Sequence, residues 1–325
     1  MSGKVPFLPA LYDIKASLAK EEGHLFPATS ESLLAALKVE AKDLGLSTLT
    51  AAYDIYNIEA EAAGSIIRRD AGIGMPEIEK PLINSIDEIR DLRAITYPAG
   101  RMALFVDAAS NAKKLYGKTH DIRGAVSGPF SMASKIFPRE ELLIETIMNP
   151  EGVKLLLTYC NQCIKLYANE FLKKGCDVVV FDSFITPPML SPETYRDIVL
   201  PFHKELFSFI KKNGGKKRPL IAGGDTRPLL PYLTESGATQ LILDYVIPAE
   251  KALECMKEYP EISFRYNIDP ALVIDGTDDA IETRVKTLVN LFKDRDNWIL
   301  GTGILPNGTN VNKIKLISKV LNDIS

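Results

Sequence analysis

The chain has little cysteine, little histidine and almost no excess of either charge, and each scarcity excludes something. Four cysteines in 325 residues cannot staple a secreted scaffold; they are expected of a reducing compartment, with the cytoplasm as the expected location. A formal net charge of −3 leaves no electrostatic footprint for a nucleic acid. No apolar run reaches ~18 residues, the length expected of a membrane span. The start, MSGKVPFLPALYD, has neither the apolar core of a signal peptide nor an arginine-rich presequence. No GxGxxG follows the first candidate strand, so a dinucleotide site is not expected. No low-complexity tract or Pro- or Ser-rich linker divides the sequence, and one domain over residues 1–325 is the expected organisation.

What the chain does have is a set of short, β-branched runs that end in aspartate. They are LSTLTAAYD, DVVVFDS, PLIAGGDT, LILDY and FRYNIDP, which place Asp54, Asp182, Asp225, Asp244 and Asp269 at or just past the end of each run. Runs this short and this continuously apolar read as strands buried on both faces, as in parallel sheets covered by helices. VPFLPAL, IRGAVSG and NWILGTG bring the strand candidates to eight. Amphipathic helical stretches alternate with them, among them SESLLAALKVEAKDLG, AGRMALFVDAASNAKKLYG, NPEGVKLLLTYCNQCIKLYANEFLKKG and SPETYRDIVLPFHKELFSFIKKNGG. The last opens with an N-cap serine, Ser191, and a proline, Pro192, at the first helical position. Eight βα alternations with right-handed crossovers predict an α/β fold, a single (β/α)8 TIM barrel. Active sites of such folds lie beyond the carboxyl ends of the strands, so a pocket lined with carboxylates is expected.

Two loops carry more information than the others. In Gly223-Gly224-Asp225-Thr226 the glycines let backbone approach a ligand closely, while Asp225 and Thr226 either bind that ligand or cap the next helix. Gly301-Thr302-Gly303-Ile304-Leu305-Pro306 reads as a tight turn at the barrel mouth. Cys160 and Cys163 form a CxxC inside an amphipathic helix, where core packing explains them. Cys176 opens a strand and Cys255 lies on a helix. His24 and His120 fall in surface segments, and His203 is expected in solvent or in helix packing. Oxygens of Asp54, Asp182, Asp225 and Glu59 suit a hard cation in principle, but no metal is expected.

In order along the chain, Tyr53-Asp54-Ile55, Glu59 to Gly64, Gly128-Pro129-Phe130-Ser131, Phe181-Asp182-Ser183, Ser191 to Tyr195, Pro201-Phe202-His203-Lys204, Gly224-Asp225-Thr226, Asn267-Ile268-Asp269-Pro270 and Gly301 to Pro306 form a recognisable series. By these pieces the chain resembles the uroporphyrinogen decarboxylase family, a (β/α)8 superfamily that also contains cobamide-dependent methyltransferases. Asp54 and Ser183 match the family's substrate-contacting aspartate and serine. The resemblance to the decarboxylases fails elsewhere. Their arginine-rich segment after the first strand corresponds to Leu8–Lys15, without arginine. Their tyrosine falls near Lys135, and their last-turn histidine is Thr302. A substrate bearing many carboxylates needs paired cationic donors, so porphyrin decarboxylation is not the leading expectation.

The methyltransferase branch, which resembles methylcobamide:coenzyme M methyltransferases, fits Glu59 to Gly64 better. Its thiol-methylating members hold zinc on a His-x-Cys pair and a later cysteine, and zinc activates the bound thiol. Here those places hold Ile221, Gly223 and Gly303, so zinc is not expected at the family site. The resemblance implies a corrinoid carried by a partner protein. Asp182, Asp225 and Asp54 are the expected catalytic acids, one of them kept protonated by its neighbours to donate to the leaving group of a methyl donor. Glu59, Ser183, Thr226, Asp244, Asn267 and Thr302 are the expected substrate contacts. The structural alternative is that the acids cap helices and bind loop amides. Two further readings stand beside the methyltransferase: a carboxy-lyase, and a catalytically silent barrel serving as a binding module.

Overall fold

The computed structural model describes residues 5–70 and 75–324; the first four residues of the start discussed above lie outside them. In chain order the strands are β1 (Phe7–Ala10), β2 (Thr48–Ala51), β3 (Ile66–Arg68), β4 (Glu77–Lys80), β5 (Asp121–Ser127), β6 (Asp177–Phe181), β7 (Leu220–Ile221), β8 (Gln240–Leu243), β9 (Ser263–Ile268) and β10 (Trp298–Ile304). All but β3 and β4 coincide with the eight expected runs. These eight are parallel, paired as β2-β5-β6-β7 and β8-β9-β10-β1. A parallel bridge between Pro219 and Gln240 joins the two halves across β7 and β8. Neighbours therefore follow chain order, each strand separated from the next by helix, as in a (β/α)8 TIM barrel.

The continuous apolar runs are explained by burial on two sides. In β6, Val178 and Val180 face the helical layer, while Val179 and Phe181 join Ala52, Ala125, Ile221 and Ile242 in a separate inner cluster. The outer core is contiguous from Phe7 to Leu321 and takes in Cys160 and Cys163 from the helix Pro150–Lys173. Both thiols are free and buried, and burial pushes Cys163 up to about 11. Among the described residues no helix is long and apolar enough to cross a membrane.

Three features differ from expectation. β3 and β4 form an antiparallel hairpin, which periodicity does not mark because both strands are largely exposed. The glycines at 301 and 303 lie within β10, not in a turn; Gly301 leaves room for the β9 side chains Arg265 and Asn267, and Gly303 for Pro270 and Tyr245. The stretch from Ser191 is not a plain helix. Ser191 caps it as expected, accepting from the Thr194 N–H at 3.1 Å, but a π-helical turn at Tyr195–Val199 precedes the helix Leu200–Lys212. Pro201 has no N–H to continue an α-helical ladder, and the wider turn accommodates it.

Candidate functional site

A cavity of about 300 Å3 opens at the carboxyl ends of the strands. Its apolar walls are Ala10, Ile55, Phe181, Ile221, Ile242 and Ile304, and Tyr12, Tyr56 and Tyr245 add aromatic faces. Its polar groups are Asp13, Asp54, Ser183, Asp244, Arg265, Asn267 and Thr302. Of the three acids expected to be catalytic, only Asp54 lines it.

Asp54 follows β2 at φ +53°, a left-handed conformation that aspartate tolerates better than most residues. Its carboxylate accepts from Arg101 and from Asn57 Nδ2, and Arg101 also donates to Glu61. Burial raises the Asp54 carboxyl to about 6, against the opposing pull of Arg101 and Asn57. Ser183 stands across the cavity and its Oγ accepts from the Tyr56 hydroxyl at 2.8 Å. Asp244 accepts from the Gly224 N–H at 3.0 Å, the Tyr245 N–H at 3.0 Å and Asn267 Nδ2 at 2.9 Å. The Thr302 hydroxyl oxygen accepts from the Ala10 N–H at 3.1 Å, tying the ends of β1 and β10 together. Burial also raises the Asp13 carboxyl.

The remaining expected residues sit beside or beneath the cavity. Asp182 is fully buried. Its carboxylate accepts from the Ser131 N–H at 2.7 Å, the Phe130 N–H at 3.3 Å and His203 Nε2 at 2.9 Å. With Nε2 donating to the carboxylate, His203 Nδ1 is left to accept from the Tyr195 hydroxyl at 2.9 Å. His203 is thus neither solvated nor a mere packing group. The π-helical turn puts it within reach of Asp182, and together they fix the loop that delivers Ser183. A side chain at Gly128 would collide with Asp182, which explains that glycine. Glu59 is buried below the cavity, accepting from the Ser127 N–H at 2.7 Å and Oγ at 3.0 Å, and burial raises its carboxyl to about 7. Asp225 is 40% exposed and paired with Arg227, whose side chain holds the carboxyl below its usual range. The Thr226 hydroxyl donates to the Ile242 carbonyl at 3.2 Å and is buried. Asp269 caps the helix Pro270–Asp275 through the Ala271 N–H.

Sequence reading missed Tyr12, Asp13, Tyr56, Arg101 and Arg265. Arg265 alone left a signal: a charge two residues before Asn267, in a strand whose alternate residues Phe264, Tyr266 and Ile268 are apolar. The three places where the resemblance implies zinc ligands, Ile221, Gly223 and Gly303, all line the cavity. They offer a branched aliphatic side chain and two hydrogens, with no lone pair for a metal, so the residues present do not fit a zinc–thiol site. Among the described residues no three His, Cys, Asp or Glu side chains are grouped to hold a metal ion.

A strand-to-helix barrel with its polar groups gathered at the carboxyl ends defines an enzyme-like (β/α)8 protein. The uroporphyrinogen decarboxylase (URO-D) family model matches residues 14–323, and the chain belongs to that family. It is 28% identical over 260 residues to a uroporphyrinogen decarboxylase of Koribacter versatilis, covering 77% of this chain and 71% of the relative. To the methylcobamide:CoM methyltransferase MtbA of Methanosarcina acetivorans it is 24% identical over 248 residues, covering 75% and 71%. A solved methyltransferase from Methanosarcina mazei superimposes with a TM-score of 0.86 at 18% identity, covering 99% of this chain and 94% of that one. Family members are thus enzymes of two kinds, methyltransferases and decarboxylases.

Proposed function

We propose that this chain is a corrinoid-dependent methyltransferase that handles a small methylated substrate without a zinc-bound thiol. The observation that carries this reading is the size and charge of the cavity. About 300 Å3 suits a small molecule. A polycarboxylate tetrapyrrole would need several cations, and apart from a single arginine in the cavity wall, Arg265, those at hand are engaged or elsewhere. Lys15, the cation of the Leu8–Lys15 stretch, is buried against Glu40. Lys135 lines a different groove, and Arg101 is bridged to Asp54 and Glu61. The rim supports a docking partner: Met189, Tyr245, Val246 and Ile304 are exposed, and two of them line the cavity.

A corrinoid on a partner protein would supply the cobalt nucleophile that takes the methyl group. The chain's own part is to orient the donor between Tyr12, Phe181 and Ile221, exclude water, and protonate the departing oxygen, nitrogen or sulfur. Asp54, held near pH 6, is suited to give that proton at neutral pH. Asp182 acts through Ser183, as a positioning residue. The test is to incubate purified protein with chemically reduced cobalamin and a panel of methyl ethers, methylamines and methyl thioethers, following the cobalt spectrum. Formation of methylated cobalamin that falls strongly in Asp54→Asn supports the reading. No methylation across the panel, with measurable release of carbon dioxide from uroporphyrinogen, would replace it with the carboxy-lyase.

A further inference from the structure

The innermost polar group of the cavity is a cation with nothing to answer it. Arg265 lies on β9 between Phe264 and Tyr266, which pack outward into the helical core. Its own side chain points inward, lines the cavity and is 2% exposed. Its Nε is buried without an acceptor, and among the described residues the guanidinium makes no side-chain hydrogen bond or ion pair. Of the acids that line the cavity, Asp54 is engaged with Arg101 and Asn57 and Asp244 with two backbone N–H groups and Asn267, while Asp13 makes no ion pair among the described residues. Arg123, on the inward face of β5, has Asp121 at 4.0 Å and does not line the cavity. Space beside Arg265 is kept open by Gly301, where a Cβ would come within 2.7 Å of Arg265 Cδ and 2.4 Å of Asn267 Oδ1.

A guanidinium does not deprotonate in a protein, so this charge stays buried and unpaired until an anion enters. Its planar fork matches a carboxylate through two parallel N–H···O bonds. We infer that Arg265 is the anion-binding residue of the cavity, and that the substrate is a small monocarboxylate whose carboxylate sits on Arg265 and whose apolar body lies against Phe181, Ile221 and Ile242. One free cation admits one carboxylate, and the acids Asp13, Asp54 and Asp244 on the walls offer a second one no cationic partner. The reactive end then faces the mouth, beside Tyr245 and Ile304. This rests on the cavity being the substrate site proposed above and narrows its substrate class.

Binding is read by calorimetry on the full chain without any corrinoid, using butyrate, benzoate and 4-methoxybenzoate against their amides. At least one carboxylate is expected to bind, with its amide weaker by about tenfold or more, as for loss of one partner of a buried charge pair. Arg265→Met is expected to lose about tenfold or more for the same carboxylate, and Arg265→Lys less. Failure of every carboxylate to bind overturns the inference. So does equal binding of acid and amide, or an Arg265→Met variant with wild-type affinity. If that variant does not fold, the acid–amide comparison on the wild type decides alone. Failure of methyl transfer with carboxylate binding intact would count against the proposed reaction and leave the substrate class standing.

Discussion

Three carboxyls at or near the cavity, Asp13, Asp54 and Glu59, are held above their ordinary range by burial, and the sign of that shift makes a prediction about stability. Glu59 is raised from 4.5 to about 7 and Asp54 from 3.8 to about 6. A carboxyl whose folded pKa lies above its unfolded value favours the native state only while protonated. Its contribution is complete below the unfolded value and is lost as pH climbs through the folded one. For Glu59 the loss is therefore spread from about pH 4.5 to about pH 7. Its size is on the order of 3 kcal/mol by the usual conversion of pKa to free energy. The protein should thus be less stable at pH 8 than at pH 5. Glu59→Gln keeps an acceptor for the Ser127 N–H and a donor toward Ser127 Oγ while removing the titration. The variant is expected to be more stable than wild type at pH 8 and to show a flatter pH dependence, read by urea denaturation at both values. A slope identical to wild type would mean that Glu59 titrates normally in the folded protein.

At the level of elements, β9 and β10 meet where a strand must be bare for its neighbour to carry function. Gly301 lies opposite Asn267 in the ladder, and an added methyl would overlap Asn267 Oδ1 and Arg265 Cδ and Cγ. Gly301→Ala is expected to cost about 1–3 kcal/mol through overpacking. Gly223→Ala, whose methyl would meet only Asp244 Oδ2 at 3.4 Å, should stay within about 0.5 kcal/mol of wild type. Equal stability of the two variants, by thermal denaturation, would remove the packing argument for Gly301. The same strands show what a sequence can disclose. The eight parallel strands were legible because burial on both faces writes a continuous apolar run, and Asp54, Ser183, Asp244, Asn267 and Thr302 at their ends do line the cavity. The β3–β4 hairpin wrote no such pattern. Asp182 with His203, and Asp54 with Arg101, are pairs brought together only by packing across 21 and 47 positions, and no local spacing marks them. Arg265 was visible as a charge between the apolar Phe264 and Tyr266, but its lack of a partner is a property of three dimensions alone.

On the scale of the whole molecule, the ring of strands is not held equally all the way round. A parallel bridge links β7 to β8, whereas among the described residues no ladder pairs β1 with β2. That seam is filled by side chains: Leu8, Leu11, Thr48 and Thr50 surround a narrow gap, and Lys15 and Glu40 meet within it. Lys15 comes from the short helix Lys15–Ala19 and Glu40 from the helix Ser30–Lys42, with side-chain exposures of 2% and 4%. Burial raises the Glu40 carboxyl and Lys15 pulls it back, so the pair is a compromise between desolvation and attraction. Breaking it on one side leaves a charge buried alone. Lys15→Met and Glu40→Leu are each expected to destabilise by about 3–5 kcal/mol. The double variant Lys15→Met/Glu40→Leu removes both charges and fills the gap with apolar volume, and should lie near wild type or above it. The coupling between the two positions would then be strongly favourable, well beyond the few tenths expected of independent sites. Denaturant melts of the four proteins give that coupling directly. A double variant as unstable as the sum of the singles would show that the seam needs these two side chains for their shape, and that their charges do not hold it closed.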